Sequence, residues 1–333
     1  MPPYTLPFEK PVLELEEKLR ELRQFSESQD IDVSAEIRTI EDKIRAARKS
    51  IYAGLTPWQK VQVARHPLRP YTRDYIEGMT REYVELHGDR LYADDRAILG
   101  GLAMIGDQRV VLLGTQKGRD TKSNLECNFG CAYPEGYRKA LRLMRLAAKF
   151  RLPIVTLIDT PGAYPGIVSE ERHIAEAIAV NLREMFTLPV PIVVCIIGEG
   201  GSGGALGIGI GDRILILEHA YYSVISPEGC AAILWKDRAH AERAAQALKI
   251  SAKDLLELNL ADEMVPEPEG GAHVNHAEMT ETLKAAILRN LADLMSVPAA
   301  DLLDARYKKF RAMGVFEEAP PPPEPKKRKA PPG

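Results

Sequence analysis

The sequence predicts an α/β core with helical segments before and after it. Short apolar runs rich in β-branched residues, at 153–159, 192–197 and 214–217, alternate with stretches of helical spacing. Residues 9–52 repeat apolar positions at intervals of three and four, and the chain after Pro227 is again mostly of helical pattern to about Gly314. With 333 residues the chain has room for one large domain or two smaller ones.

Taken in order, Val12, Leu15, Leu19 and Leu22 form one stripe and Ile37, Ile40, Ile44, Ala47 and Ile51 another, separated by polar residues 26–32. This reads as a helical hairpin, docking either on a neighbour or on the chain's own core. Glu16/Arg20 and Glu41/Arg45 are expected as supporting i,i+4 pairs. Pro57, Pro67 and Pro70 mark residues 58–75 as a connector. Runs 97–105 and 109–114 flank Gly106, Asp107 and Gln108, a hairpin signal. Pro134 stands where a helix starts, and the pattern runs to about Phe150. Residues 153–159 read as a buried strand. Residues 170–188 read as an amphipathic helix with Ile174, Ile178, Leu182 and Met185 on one face.

The run 192–197 ends abruptly in GEGGSGG (198–204). A buried strand, a glycine loop, a helix of about two turns and a further strand at 214–217 are expected. Such a loop leaves backbone N–H groups bare and lets a ligand come close. Two free N–H groups at a helix start can hold an oxygen that gains negative charge during a reaction. Other motifs overlap here. Residues 198–203 fit GxGxxG, with Glu218 where a ribose-binding acid would stand, but there is no room for the full crossover helix of a dinucleotide fold. Residues 200–204 fit GxSxG, with Ser202 as nucleophile and His219, His240, His273 or His276 downstream, yet nothing marks one histidine as the base. The plain alternative is tight backbone packing.

Hydrophobic content of 45%, charged content of 27% and a net charge of -3 are ordinary for a globular protein and demand neither nucleic acid nor membrane. No apolar segment follows a basic start, and the longest apolar runs are too short to span a bilayer, so a cytoplasmic location is expected. Cys127, Cys131, Cys195 and Cys230 fit neither a disulfide framework nor a zinc site, and are expected as thiols. The expected division is 1–56 helical hairpin, 57–265 core, 266–316 C-terminal helical region and 317–333 disordered tail. The tail is rich in proline and carries Lys326, Lys327, Arg328 and Lys329.

The runs GEGGSGGA (198–205), YSVISPEGC (222–230) and IDTPGAYPG (158–166) closely resemble the carboxyltransferase alpha subunits of bacterial acetyl-CoA carboxylase. So do RHPLRPY (65–71), YADD (92–95), QKGR (116–119) and PEGYRKALR (134–142), and the similarity is continuous from about Pro11 to about Gly314. The resemblance implies a crotonase-like fold of repeated strand–strand–helix units. It implies an α2β2 assembly with a beta subunit, and work alongside biotin carboxylase and biotin carboxyl carrier protein. Carboxybiotin on that carrier, not biotin bound covalently to this chain, gives its carboxyl group to acetyl-CoA, and malonyl-CoA is formed. Zinc is implied only in the beta subunit.

The resemblance also assigns residues. Backbone N–H groups of Gly203 and Gly204, with Ala205 as the alternative member, are implied as donors to the biotin oxygen, in the loop containing Gly200 and Gly201. Thr160, Pro161, Gly162 and Ala163, with Asp159, are implied to line the biotin site, where crevices at strand ends bind ligands; Asp159 and Thr160 otherwise only satisfy the turn backbone. Lys117, Arg119 and Lys122 either meet coenzyme A phosphates or the carboxylate of carboxybiotin, or are a solvated loop. Arg138, Arg142, Arg145 and Lys149 form a stripe, read as an exposed face or a basic surface attracting coenzyme A or an acidic carrier. His273 and His276 are expected at the surface. Glu199 is expected to orient the loop without transferring a proton. Two other functions stay open: a stand-alone crotonase-like acyl-CoA hydratase or thioesterase, and a non-catalytic scaffold.

Overall fold

The computed structural model describes residues 4–29 and 31–315. The proline- and lysine-rich segment expected as a disordered tail lies outside the described residues. The helices are α1 (Lys10–Gln29), α2 (Ser34–Ala53), α3 (Pro57–Ala64), α4 (Thr72–Met79), α5 (Thr121–Glu126), α6 (Pro134–Phe150), α7 (Ile167–Glu171), α8 (Ile174–Met185), α9 (Ser202–Leu206), α10 (Pro227–Trp235), α11 (Ala241–Leu248), α12 (Ala252–Glu257), α13 (His276–Met295) and α14 (Ala299–Arg311). The strands are β1 (Thr80–Glu85), β2 (Ile98–Ile105), β3 (Gln108–Thr115), β4 (Ile154–Thr160), β5 (Ile192–Gly201), β6 (Arg213–Leu217), β7 (Tyr221–Ser223) and β8 (Glu263–Val265).

They form one mixed sheet in the order β1-β2-β3-β4-β5-β6-β8, with β7 also paired to β5. The β1–β2–β3 part is antiparallel and the rest parallel. Every residue of β4 and β5 is buried. That is why their sequences read as continuous apolar runs rather than alternating ones. The main core packs α4, α6, α8 and α13 against this sheet, through residues such as Tyr75, Leu143, Ala177 and Ile287.

The two N-terminal stripes are half-buried against each other, and Leu6, Tyr52, Leu55 and Val63 join the base of the hairpin to the rest of the chain. The expected i,i+4 pairs do not form. Arg23 reaches across to Glu41 at 2.7 Å, and Arg48 to Glu16, because the facing helix offers each carboxylate a partner over a partly dry seam.

Residues 58–75 are not a plain connector. Thr56 caps α3 by accepting from Gln59 N–H, and Pro57 fills the first helical position, where its missing N–H costs nothing. The helix expected over 170–188 is broken, with His173 left-handed (φ 64) between α7 and α8. Nor is 198–204 simply a loop. Gly198–Gly201 continue β5 because their backbone finds partners on both sides, Thr160 opposite Gly200 and β7 opposite Glu199–Gly201. The helix that follows has only five residues, short of the two turns expected.

Candidate functional site

The carboxyl ends of β4 and β5, the loop after β3 and the start of α9 converge. The two strands run in step as far as Ile158 opposite Ile196; then β5 takes extra residues before Thr160 meets Gly200. This irregularity brings the Asp159 carboxylate against the backbone of Gly198. A Cβ there would stand 2.5 Å from Asp159 Oδ1, so only glycine fits.

The strand ends carry a buried charge network. Lys117 Nζ donates to Asp159 Oδ1 at 2.6 Å and to Glu199 Oε1 at 2.8 Å. Arg65 Nε and the Tyr221 hydroxyl donate to Glu199 Oε2 at 2.7 and 2.6 Å. Arg65 also reaches Glu228 at 2.5 Å, and the Glu199 N–H donates to Asp159 Oδ1 at 2.9 Å. Burial would raise the Glu199 carboxyl, but the charges of Lys117 and Arg65 and the hydrogen bonds outweigh it and hold the group down at about 2. Burial would lower Lys117, yet Asp159 and Glu199 keep it above its usual range. At neutral pH these groups are therefore fixed charges. Glu199 orients the strand ends, and nothing in its environment suits it to shuttle a proton.

Beside the network lies the glycine wall. A Cβ on Gly201 would meet Pro161 O at 2.3 Å, and one on Gly204 would meet Gly162 C at 2.3 Å and Ala163 N at 2.4 Å. The start of α9 thus lies flat against the 160–163 turn. Thr160 is buried; its hydroxyl lies 2.7 Å from Gly130 O and 2.8 Å from Gly162 O, and accepts the Gly162 N–H at 3.1 Å. Its side chain shapes the turn and leaves backbone to face any ligand. Ala205, on α9, is fully buried. Gly203 differs: a Cβ there would come no nearer than 3.6 Å, to Ile178. A bulky residue is therefore expected to do its harm at Gly204 or Gly201, whereas Gly203 has room for a methyl group.

Ser202, left-handed at φ 53, marks the turn from strand to helix, as a nucleophile elbow would. Among the described residues, however, no histidine bonds to its hydroxyl, and His219 is buried elsewhere, its backbone N–H donating to Glu267. The constellation for ester hydrolysis is missing.

Of the basic residues singled out, Lys117 is neither solvated nor free. Arg119 pairs with Asp74, donates to Pro67 O at 2.6 Å and lies 4.0 Å over the Tyr71 ring. Lys122 is exposed. His273 is not a surface residue: it stacks on His66 at 3.9 Å, below the hairpin. Cys127, Cys131, Cys195 and Cys230 are unpaired, and no group of three or more His, Cys, Asp or Glu among the described residues is placed to hold a metal. Sequence spacing missed Arg65, Tyr221 and Glu228, although Arg65 and Glu228 stand in runs that carried the resemblance and Tyr221 directly precedes one. No helix of the described residues is long and apolar enough to cross a membrane.

A mixed sheet of this order, with a glycine-walled crevice at its strand ends, is a crotonase-like fold. The fold is shared with transcarboxylase 12S (TM-score 0.56, 18% identity, 68% of this chain and 42% of that one). It is shared also with a Pseudomonas malonate decarboxylase hetero-tetramer solved in complex with coenzyme A (TM-score 0.58, 15% identity, 71% and 92%). The chain belongs to the acetyl co-enzyme A carboxylase carboxyltransferase-like family, whose model matches residues 5–314. It is 56% identical over 314 residues to the acetyl-coenzyme A carboxylase carboxyl transferase subunit alpha of Thermosynechococcus vestitus, covering 94% of this chain and 97% of the relative. To the subunit of the same name from Methylococcus capsulatus it is 55% identical over 313 residues, covering 94% and 98%.

Proposed function

We propose that this chain is the alpha half of a biotin-dependent acetyl-CoA carboxyltransferase. With a beta subunit it moves a carboxyl group from carboxybiotin, held on biotin carboxyl carrier protein, to acetyl-CoA and gives malonyl-CoA for fatty acid synthesis. Membership of the family and identity above half over nearly the whole chain support the reaction. The structural observation that carries the site is the contact of Gly204 with the 162–163 turn, which sets the first amides of α9 beside the strand-end crevice.

The donor set fits the ligand. The first N–H groups of a helix have no acceptor within it, and here no side chain intervenes. When bound, carboxybiotin supplies the carboxyl group, and negative charge builds on its ureido oxygen as that group departs. Gly203 and Gly204 donate their N–H groups to that oxygen, with Ala205 the alternative member. Held by the turn, they need no reorganisation as charge develops. Gly200 and Gly201 keep β5 extended beside Thr160, Pro161, Gly162 and Ala163, whose backbone lines the crevice. Lys117 and Arg119 act from behind, fixing the loop after β3 to Asp159, Glu199 and Asp74. Glu199 and Lys117 are held in their charged forms, and no role in removing the acetyl methyl proton is assigned to them. On this reading the assembly is α2β2, zinc belongs to the beta subunit, biotin carboxylase recharges the carrier, and the complex works in the cytoplasm.

The test is the reverse reaction, malonyl-CoA and biocytin giving acetyl-CoA, with the purified chain alone and with its co-expressed beta subunit. Activity confined to the mixture and removed by Gly204→Val is the expected result. An intact complex without activity, or a fully active Gly204→Val complex, overturns the reading.

A further inference from the structure

A cavity of about 540 Å3 lies between α6, α8 and the 88–91 loop, and the strand-end network does not line it. Its cations are unevenly satisfied. Arg138 pairs with Asp89 and Glu135, Arg172 with Glu135, and Arg145 with Glu184. Arg90 and Arg142 have no carboxylate within 4.0 Å among the described residues. Both instead donate to one carbonyl: Arg90 Nη1 to His87 O at 3.0 Å, and Arg142 Nη2 to the same oxygen at 3.2 Å, with Arg142 Nε on Gly88 O at 3.0 Å. Two guanidinium groups that share a single oxygen repel each other with no anion between them. The Arg142 guanidinium is lowered from its ordinary range, by burial first and then by Arg90.

The loop that presents Arg90 is built to hold it. Asp89 is buried, and its Oδ1 accepts from the N–H groups of Leu91, Tyr92 and Ala93 at 2.9, 2.7 and 3.1 Å, while its Oδ2 accepts from Arg138. Arg90 itself is left-handed at φ 64, a conformation that costs energy for a residue with a side chain. The same cavity is lined by Asn181, whose Nδ2 is committed to Tyr137 O and Gly207 O, so its buried Oδ1 is fixed in place without a donor. The cavity thus holds two forked cations without a carboxylate partner, beside the lining carboxylates Asp89, already paired with Arg138, and Glu176, in a volume that suits a nucleotide-sized ligand.

We propose that this cavity binds the diphosphate group of a small molecule, with Arg90 and Arg142 receiving the phosphates. The ligand has two possible sources, a nucleoside diphosphate or the diphosphate portion of coenzyme A. Calorimetric titration of the full chain with sodium pyrophosphate at low salt tests the site. Saturable binding is expected, weakened at least tenfold by Arg90→Ser and by Arg142→Gln, unchanged by Arg183→Ser outside the cavity, and falling as salt rises. Should Arg142→Gln disturb the fold, Arg90→Ser, at an exposed position, carries the test alone. Competition with ADP and with coenzyme A then assigns the source. Absence of saturable binding, or equal affinity in wild type and Arg90→Ser, overturns the proposal. Pyrophosphate binding is measured on this chain alone and without carboxyl transfer, so this test and that of the transferase reading fail separately.

Discussion

Lys117 and Glu199, 82 positions apart in the chain, meet at 2.8 Å where the loop after β3 crosses the end of β5. The same ammonium holds Asp159 at 2.6 Å, so one cation ties two buried carboxylates on neighbouring strands. Replacing it leaves those carboxylates facing each other out of water. Lys117→Met is expected to destabilise the fold by about 3–5 kcal/mol, the usual cost of breaking a buried pair. Urea unfolding of the variant and the wild type at neutral pH measures this.

Gly204 and Gly203 are adjacent but not equivalent. Gly204→Ala forces a Cβ into the 162–163 backbone and should lower carboxyl transfer by about 10²–10³-fold if it displaces a donor. Gly203→Ala meets only Ile178 at van der Waals distance and keeps its N–H, so it should retain activity within a few fold. Equal losses in kcat for the two variants would contradict the geometry.

Arg306, fully buried on α14, donates to Asp212 at 2.8 and 2.7 Å and to the carbonyls of Met185, Leu188 and Val190. Arg306→Leu strands all these acceptors and should cost about 3–5 kcal/mol. A lowered urea midpoint with no change in the KM of the residual active fraction is the expected signature, because the clamp lies away from the crevice.

Glu9, Glu199 and Glu267 are each held at about 2 against an ordinary 4.5. Burial raises each of them, and the partners overcome it: His273 and Tyr52 for Glu9, Lys117 and Arg65 for Glu199, Arg69 for Glu267. A depressed folded value means stability fully present above pH 4.5 and lost as pH falls from there toward 2. Thermal melts across pH 6 to 3 should show Tm falling below about 4.5. In Glu199→Gln the fall should be shallower, starting from a lower plateau.

The strands at 154–160 and 213–217 and the first part of that at 192–201 were legible because their residues are nearly all buried and apolar, and the helix at 134–150 because Pro134 opens a stretch of helical pattern. β1 was not. It is a half-exposed edge strand of sequence TREYVE, and only its pairing with β2 makes it extended. β8 has three residues, too few for any periodicity. The glycine wall could be read because its residues are contiguous. The charge network could not, because Arg65, Lys117, Asp159, Glu199, Tyr221 and Glu228 come together only through sheet register.

The Arg306 clamp also sets an order of events during synthesis. Domains form as the chain emerges, N-terminal parts first. Yet Asp212, which opens the way into β6, receives its buried cation from a residue made 94 positions later. A nascent chain that ends before α14 leaves Asp212 with the Ile192 N–H as its donor but without its buried cation, and three carbonyls without the guanidinium that reaches them. The sheet can collapse early, but its closure waits for nearly the last described helix turn to leave the ribosome.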